Sequence, residues 1–129
     1  MATGHQWTEG PLVIEDESSS LNYLIFSDTK ENRILRWEEG KGLFTVGESL
    51  FVENSGCSRT NTYCQENIYE PGSNGLLRLQ SFDQSAAINL VAAQHGERSV
   101  SLLFDNGTRV PLASHYDGKR LNSPNDLVW

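Results

Sequence analysis

Tyr23-Leu24-Ile25-Phe26-Ser27-Asp28-Thr29-Lys30-Glu31-Asn32-Arg33-Ile34-Leu35-Arg36-Trp37 decides the fold class of this chain. Apolar clusters at its two ends flank a polar stretch, Asp28 to Asn32, in which Asp and Asn tolerate the backbone of a tight turn. The pattern predicts strand, hairpin, strand. Working outward, Leu12-Val13-Ile14 precedes it across Glu15-Asp16-Glu17-Ser18-Ser19-Ser20. Leu43-Phe44-Thr45-Val46 follows it across Glu39-Gly40-Lys41-Gly42. Four short strands in series make a meander.

The meander recurs. Leu76-Leu77-Arg78-Leu79, Ile88 to Ala93, Val100-Ser101-Leu102-Leu103-Phe104 and Arg109-Val110-Pro111-Leu112-Ala113 supply four more strands, with Asp105-Asn106-Gly107 as a tight turn before the last. Pro111 has no N–H to give a ladder, so its strand belongs at an edge. The stretch Ser85 to Ala93 also contains good helix formers, but its place in the repeat is that of Tyr23 to Phe26, a strand. Leu12, Leu76 and Leu127 open successive units 64 and 51 residues apart. The excess in the first interval is an inserted loop, about 52–73, containing Cys57 and Cys64. Four strands per unit at roughly 40 to 50 residues is the pattern of β-propeller blades. The expected architecture is all-β: one blade over about 9–51, a second over about 74–118, and the start of a third over 119–129. An immunoglobulin-like sandwich does not predict two matching meanders. Asp126-Leu127-Val128-Trp129 reads as a strand cut short, so the chain is expected to be a truncated propeller whose open blade edges invite self-association.

The chain has 129 residues, 37% of them hydrophobic and 21% charged, a globular composition. Asp and Glu number 17 against 10 Lys and Arg, a net charge of −7. Nucleic acid and anionic membrane surfaces are expected to be excluded as partners, because both need clustered cations. The first residues show neither a basic nor an apolar signal region, which points to the cytoplasm. Cys57 and Cys64 leave two states open, a disulfide or two free thiols.

Loops that enter innermost propeller strands converge on the central channel. The segments Glu9-Gly10-Pro11, Asn74-Gly75 and Asn122-Ser123-Pro124-Asn125-Asp126 should therefore be neighbours. A carboxylate with amide carbonyls is a ligand set for a hard cation such as calcium. Asn beside Gly or Pro also serves as an ordinary turn residue, and Glu9 could equally be a plain exposed acid before a strand. His95 has the acid–base range of a catalytic group, or is a structural histidine at a strand end. His5 and His115 carry no supporting motif.

Trp7-Thr8-Glu9-Gly10-Pro11 resembles the opening motif of the gluconolactonase, senescence-marker-protein and luciferin-regenerating-enzyme family. Phe26-Ser27-Asp28 with Arg33 to Trp37 is similar to its first-blade strands, Ser73-Asn74-Gly75-Leu76 to its second-blade entry, and Gln94-His95-Gly96-Glu97-Arg98 to a motif within that blade. Lys119 to Asp126 resembles its third-blade entry. The resemblance implies a six-bladed propeller with a divalent metal, usually calcium, that hydrolyses sugar lactones and related esters. It places Glu9 on the first metal ligand and Asn125 on a channel asparagine that contacts substrate, or the metal through water. Asn74 and Asn122 join Asn125 as substrate-binding candidates, and His95 is the catalytic candidate. Ser123 stands where some members carry an arginine for the sugar acid, which leaves the lactone open. The remaining ligands and the base would lie beyond Trp129. A propeller that binds metal and sugar acid without hydrolysis, and an inactive fragment, are the alternatives.

Overall fold

The computed structural model describes residues 4–16, 21–43, 50–53, 55–57, 70–79, 89–104 and 108–128. Every regular element among them is a strand. No helix among them is long and apolar enough to cross a membrane.

The first sheet is the predicted meander: β1 (Thr8–Asp16), β2 (Leu21–Asp28), β3 (Arg33–Glu38), β4 (Gly42–Leu43) and β5 (Leu50–Glu53), each neighbouring pair antiparallel. Its fourth position departs from expectation. The strand expected at Leu43 to Val46 is split: β4 pairs with the far end of β3 through Trp37↔Leu43, and β5 pairs with the near end through Ile34↔Val52. Residues 44–49 lie outside the described residues. Two short segments share one ladder because β3, at six residues, has room for both.

The second sheet runs in the order β6 (Ser73–Leu79), β7 (Asn89–Gln94), β8 (Ser99–Phe104), β9 (Arg109–Ala113). The ambiguous stretch is a strand where it is described, from Asn89 onward, and Pro111 lies on the edge strand as its missing donor requires. A small hairpin follows, β10 (His115–Tyr116) with β11 (Lys119–Arg120). Asp117 and Gly118, both at positive φ, form its two-residue turn. Residues 121–128 form no strand.

The two sheets repeat one another closely. Thr8 pairs with Asp28 in the first, and Ser73 with Gln94 in the second. Both first strands have an irregularity close behind that pair, between Glu9 and Leu12 in the first and between Ser73 and Leu76 in the second. Both central hairpins turn through a non-glycine residue at positive φ, Asn32 at 55° and Arg98 at 54°. The left-handed region costs an L-residue about 1–2 kcal/mol, and each side chain compensates. Asn32 Oδ1 accepts the N–H groups of Gly56 and Cys57, and its Nδ2 donates to the Cys57 carbonyl. Arg98 Nε donates to the Leu121 carbonyl at 2.6 Å.

The core lies between the sheets. Period-two alternation sends Leu12, Ile14, Tyr23, Ile25 and Ile34 of the first against Leu76, Leu90, Ala92 and Leu103 of the second. Full burial of each large aliphatic side chain is worth about 1.5–3 kcal/mol. The alternate residues form a second apolar face on each sheet: Val13, Leu24 and Trp37 in one row, and Leu77, Val91, Leu102 and Val110 in another. Val13 is 59% exposed and Val110 45%.

Residues 55–57 of the cysteine segment are wedged into the seam. Ser55 accepts from Gln94 Nε2 at its carbonyl and from the Ser73 N–H at its hydroxyl. A Cβ on Gly96 would collide with Cys57 Sγ. Cys57 is buried and disulfide-bonded, which settles its state, while Cys64 lies outside the described residues.

Arginines of the first sheet pair with acids: Arg33 binds Asp28 at 3.0 Å and Arg36 binds Glu38. Arg36 also covers the Tyr23 ring at 3.8 Å. Lys41, 2.8 Å from Glu38, and then Arg36 hold the Glu38 carboxyl below its ordinary range against the opposing effect of desolvation. A lowered carboxylate pKa stabilises the fold above its unfolded value, and that contribution disappears as pH falls through the folded value. Melting temperatures below about pH 5 should therefore drop less steeply for Glu38→Gln than for the parent chain. Parallel curves would show that the ion pairs contribute nothing.

Candidate functional site

The loops entering β1 and β6 and the segment after β11 stack in order. Gly10 has φ +55°, and a Cβ there would meet the Asn74 carbonyl oxygen, with Gly75 Cα and Leu76 N at 2.9 Å. Gly75 repeats the arrangement one step on: its Cβ would stand 2.6 Å from Asp126 Oδ1 and 2.9 Å from Asp126 Cα. The Gly75 N–H donates to the Asn125 carbonyl at 2.8 Å. Each glycine lets the next entry loop cross at van der Waals range. Glu9, Asn74 and Asn125 thus occupy equivalent places in three successive layers, the neighbourhood the sequence spacing predicts.

Their side chains differ in exposure. Glu9 rims a depression of about 270 Å³ lined with His5, Thr8, Pro11, Leu24 and Phe26. Its Oε1 accepts the Trp7 indole N–H at 2.8 Å. Asn122 and Asn125 are exposed. Glu9 and Asn125 offer hard oxygens, which fits a cation such as calcium. Calcium takes six to eight oxygens, and no group of three or more His, Cys, Asp or Glu is assembled among the described residues. The described residues do not by themselves form such a shell.

Asn74 is buried at 3% exposure. Its Oδ1 accepts from Thr29 Oγ1 at 2.9 Å, its Nδ2 lies 3.1 Å from His95 Nδ1, and its carbonyl accepts from Ser27 Oγ at 2.8 Å. His95 Nε2 meets Glu70 Oε2 at 3.0 Å. The structure thus brings Asn74 and His95 together in the seam between the sheets. Ser27 and Ser73 add a hydroxyl pair at 2.8 Å, and the Gly72 N–H donates to the Thr29 carbonyl at 2.8 Å.

Thr29, Ser27 and Glu70 were missed by sequence reading. Small hydroxyl residues at a strand end carry no local signal, and Glu70 meets His95 across a sequence separation that no local pattern reads. His5 packs edge-on against Phe26 and reaches Asp28 at 3.4 Å, a structural role. His115 is exposed and meets the neighbouring Ser114 hydroxyl.

Comparison with known proteins adds a functional class. No family model matches the chain. A gluconolactonase of Zymomonas mobilis is 32% identical over 131 aligned positions, which cover all of this chain and 32% of that protein. A solved gluconolactonase of Xanthomonas campestris superposes with a TM-score of 0.61 at 26% identity, covering 95% of this chain and 31% of that one. The chain spans about a third of the length of both relatives. The repeated sheets, the stacked entry loops and the two similarities agree: over its whole length this chain is similar to about one third of a gluconolactonase.

Proposed function

We propose that the two sheets are two blades of a six-bladed propeller, and that this chain contributes one sector of the active site of a metal-dependent lactone hydrolase. The observation that carries the reading is the stacking of Gly10 on Asn74 and of Gly75 on Asn125 and Asp126. That stack sets the backbones at Glu9, Asn74 and Asn125 in successive layers, and the proposal is that the Glu9 and Asn125 side chains share one channel. The second apolar face on each sheet supports further blades, since a sheet apolar on both sides is one built to be covered on both.

In this reading Glu9 and Asn125 hold a divalent cation, most simply calcium. Such an ion supplies Lewis-acid polarisation of an ester carbonyl and makes a nearby water more acidic. Asn122, exposed three residues before Asn125, offers an amide to the hydroxyl groups of a sugar lactone. Ser123, at φ 48°, presents a short hydroxyl where a larger cationic group would otherwise grip the product acid. The remaining oxygens and the proton acceptor come from the part of the propeller that this chain does not span.

The test is a chimera in which this chain replaces the matching third of the Zymomonas gluconolactonase. Acid release from gluconolactone, followed by titration at constant pH, is expected from the chimera with calcium and lost on chelation. A folded chimera that releases no acid would sink the proposal.

A further inference from the structure

We propose that Thr29, Asn74, His95 and Glu70 form one directional hydrogen-bond chain, in which His95 is a positioning residue with no lone pair left for a substrate. The proposal rests on the channel reading above for its functional meaning, but its chemistry is independent of any turnover.

The direction follows from what each atom can do. Thr29 Oγ1 has one proton and two acceptors within reach, Asn74 Oδ1 at 2.9 Å and the Ser73 carbonyl oxygen at 3.0 Å, and the hydrogen-bond chain takes it on the nearer, Asn74 Oδ1. The amide nitrogen then faces His95 Nδ1 at 3.1 Å. An amide nitrogen only donates, so Nδ1 must accept and carries no proton. The ring proton is therefore on Nε2, where the Glu70 carboxylate at 3.0 Å accepts it. Turning the Asn74 amide over would reverse the first contact and place its oxygen against Nδ1. Nδ1 would then need a proton while Nε2 still donates to Glu70, and the ring would be an imidazolium. The orientation of the Asn74 amide and the protonation of His95 are thus a single variable.

Both ring nitrogens are occupied by protein, and the Asn74 side chain is occupied at both ends. A general base must present a lone pair to the proton it removes, and His95 presents none. What the chain holds is the layer behind the column. Asn74 precedes Gly75, whose N–H carries the Asn125 carbonyl. Glu70 ties the end of the inserted loop to the same point. His95 acts on the site through Asn74, and the residues that meet ligand are Glu9, Asn122 and Asn125.

The experiment is a two-bond proton–nitrogen NMR correlation on the nitrogen-15-labelled 129-residue chain at about pH 8, where an ordinary imidazole is neutral. His95→Gln assigns the peaks. A single tautomer is expected, with Nδ1 at the unprotonated shift and Nε2 at the protonated shift. A proton on Nδ1, or two averaged shifts, would overturn the proposal. Asn74→Asp is nearly isosteric and replaces the donor facing Nδ1 with an acceptor. Both nitrogens are then expected at protonated shifts at the same pH, the ring lying between two carboxylates. An Asn74→Asp chain that folds and keeps the parent tautomer would also overturn it. The parent spectrum stands as the test where that variant does not fold. Failure of the chimera to hydrolyse lactone would leave this result untouched.

Discussion

Glu9→Gln in the gluconolactonase chimera is expected to weaken calcium binding at least about 100-fold. Even partners one step removed from a metal typically cost 10–100-fold when changed, and here a ligand charge itself is removed. The substitution isolates charge from structure. Gln retains a side-chain oxygen that can accept the Trp7 indole N–H, the contact Glu9 makes at 2.8 Å, so the entry to β1 keeps its geometry. Glu9 is half-buried at the rim of the depression and is not part of the core cluster, and the sheet should lose little stability. Calorimetric titration with calcium, run beside a thermal melt, separates the two effects. Unchanged affinity in a chimera that binds calcium would remove Glu9 from the site and leave the column as scaffolding.

Gly10→Ala is expected to cost about 3 kcal/mol of stability. Two effects add. The backbone at φ +55° costs an L-residue about 1–2 kcal/mol, and overpacking a tight contact adds about 1–3 kcal/mol. The obstructing atoms are Asn74 O, Gly75 Cα and Leu76 N, all backbone, so no flexible side chain can swing aside. Relief would require β6 to move away from β1 and open the core between the sheets. Gly40→Ala is the control: φ is +80° and nothing lies within 4 Å of the added carbon. It should show the conformational cost alone, about 1–2 kcal/mol. Urea unfolding midpoints at constant slope measure both. Equal losses would mean that the stacking of the entry loops is loose, and the column with it.

Strand content and register were open to sequence reading because they rest on local rules. Alternation of Tyr23, Ile25 and Ser27 against Leu24 and Phe26 is a period-two pattern, and a single register puts one set inside. Asp28 to Asn32 and Gln94 to Arg98 turn as their chemistry and repeat position suggest. Even the neighbourhood of Glu9, Asn74 and Asn125 was legible, since equal units stacked in one direction bring equal positions together.

Other features took shape only in three dimensions. Tyr23 enters the cluster between the sheets, and Phe26 and Trp37 do not. Phe26 and Trp37, one residue out of phase, belong to the opposite face. The fourth strand of the first sheet divided because pairing partners are chosen by the ladder and not by hydrophobicity alone. The cysteine segment reads as an inserted loop, and Asn32 and Gln94 draw its residues 55–57 into the seam, where Cys57 is buried.

By itself, then, the sequence determined an all-β chain of repeated meanders whose strand-entry loops neighbour one another, because alternation, turn chemistry and spacing are properties of neighbouring residues. Only the tertiary structure decided that Asn74 and His95 face each other and not solvent. Their partners, Thr29 and Glu70, lie 45 and 25 residues away in the chain, and a hydrogen bond across such separations is set by packing that no local pattern encodes.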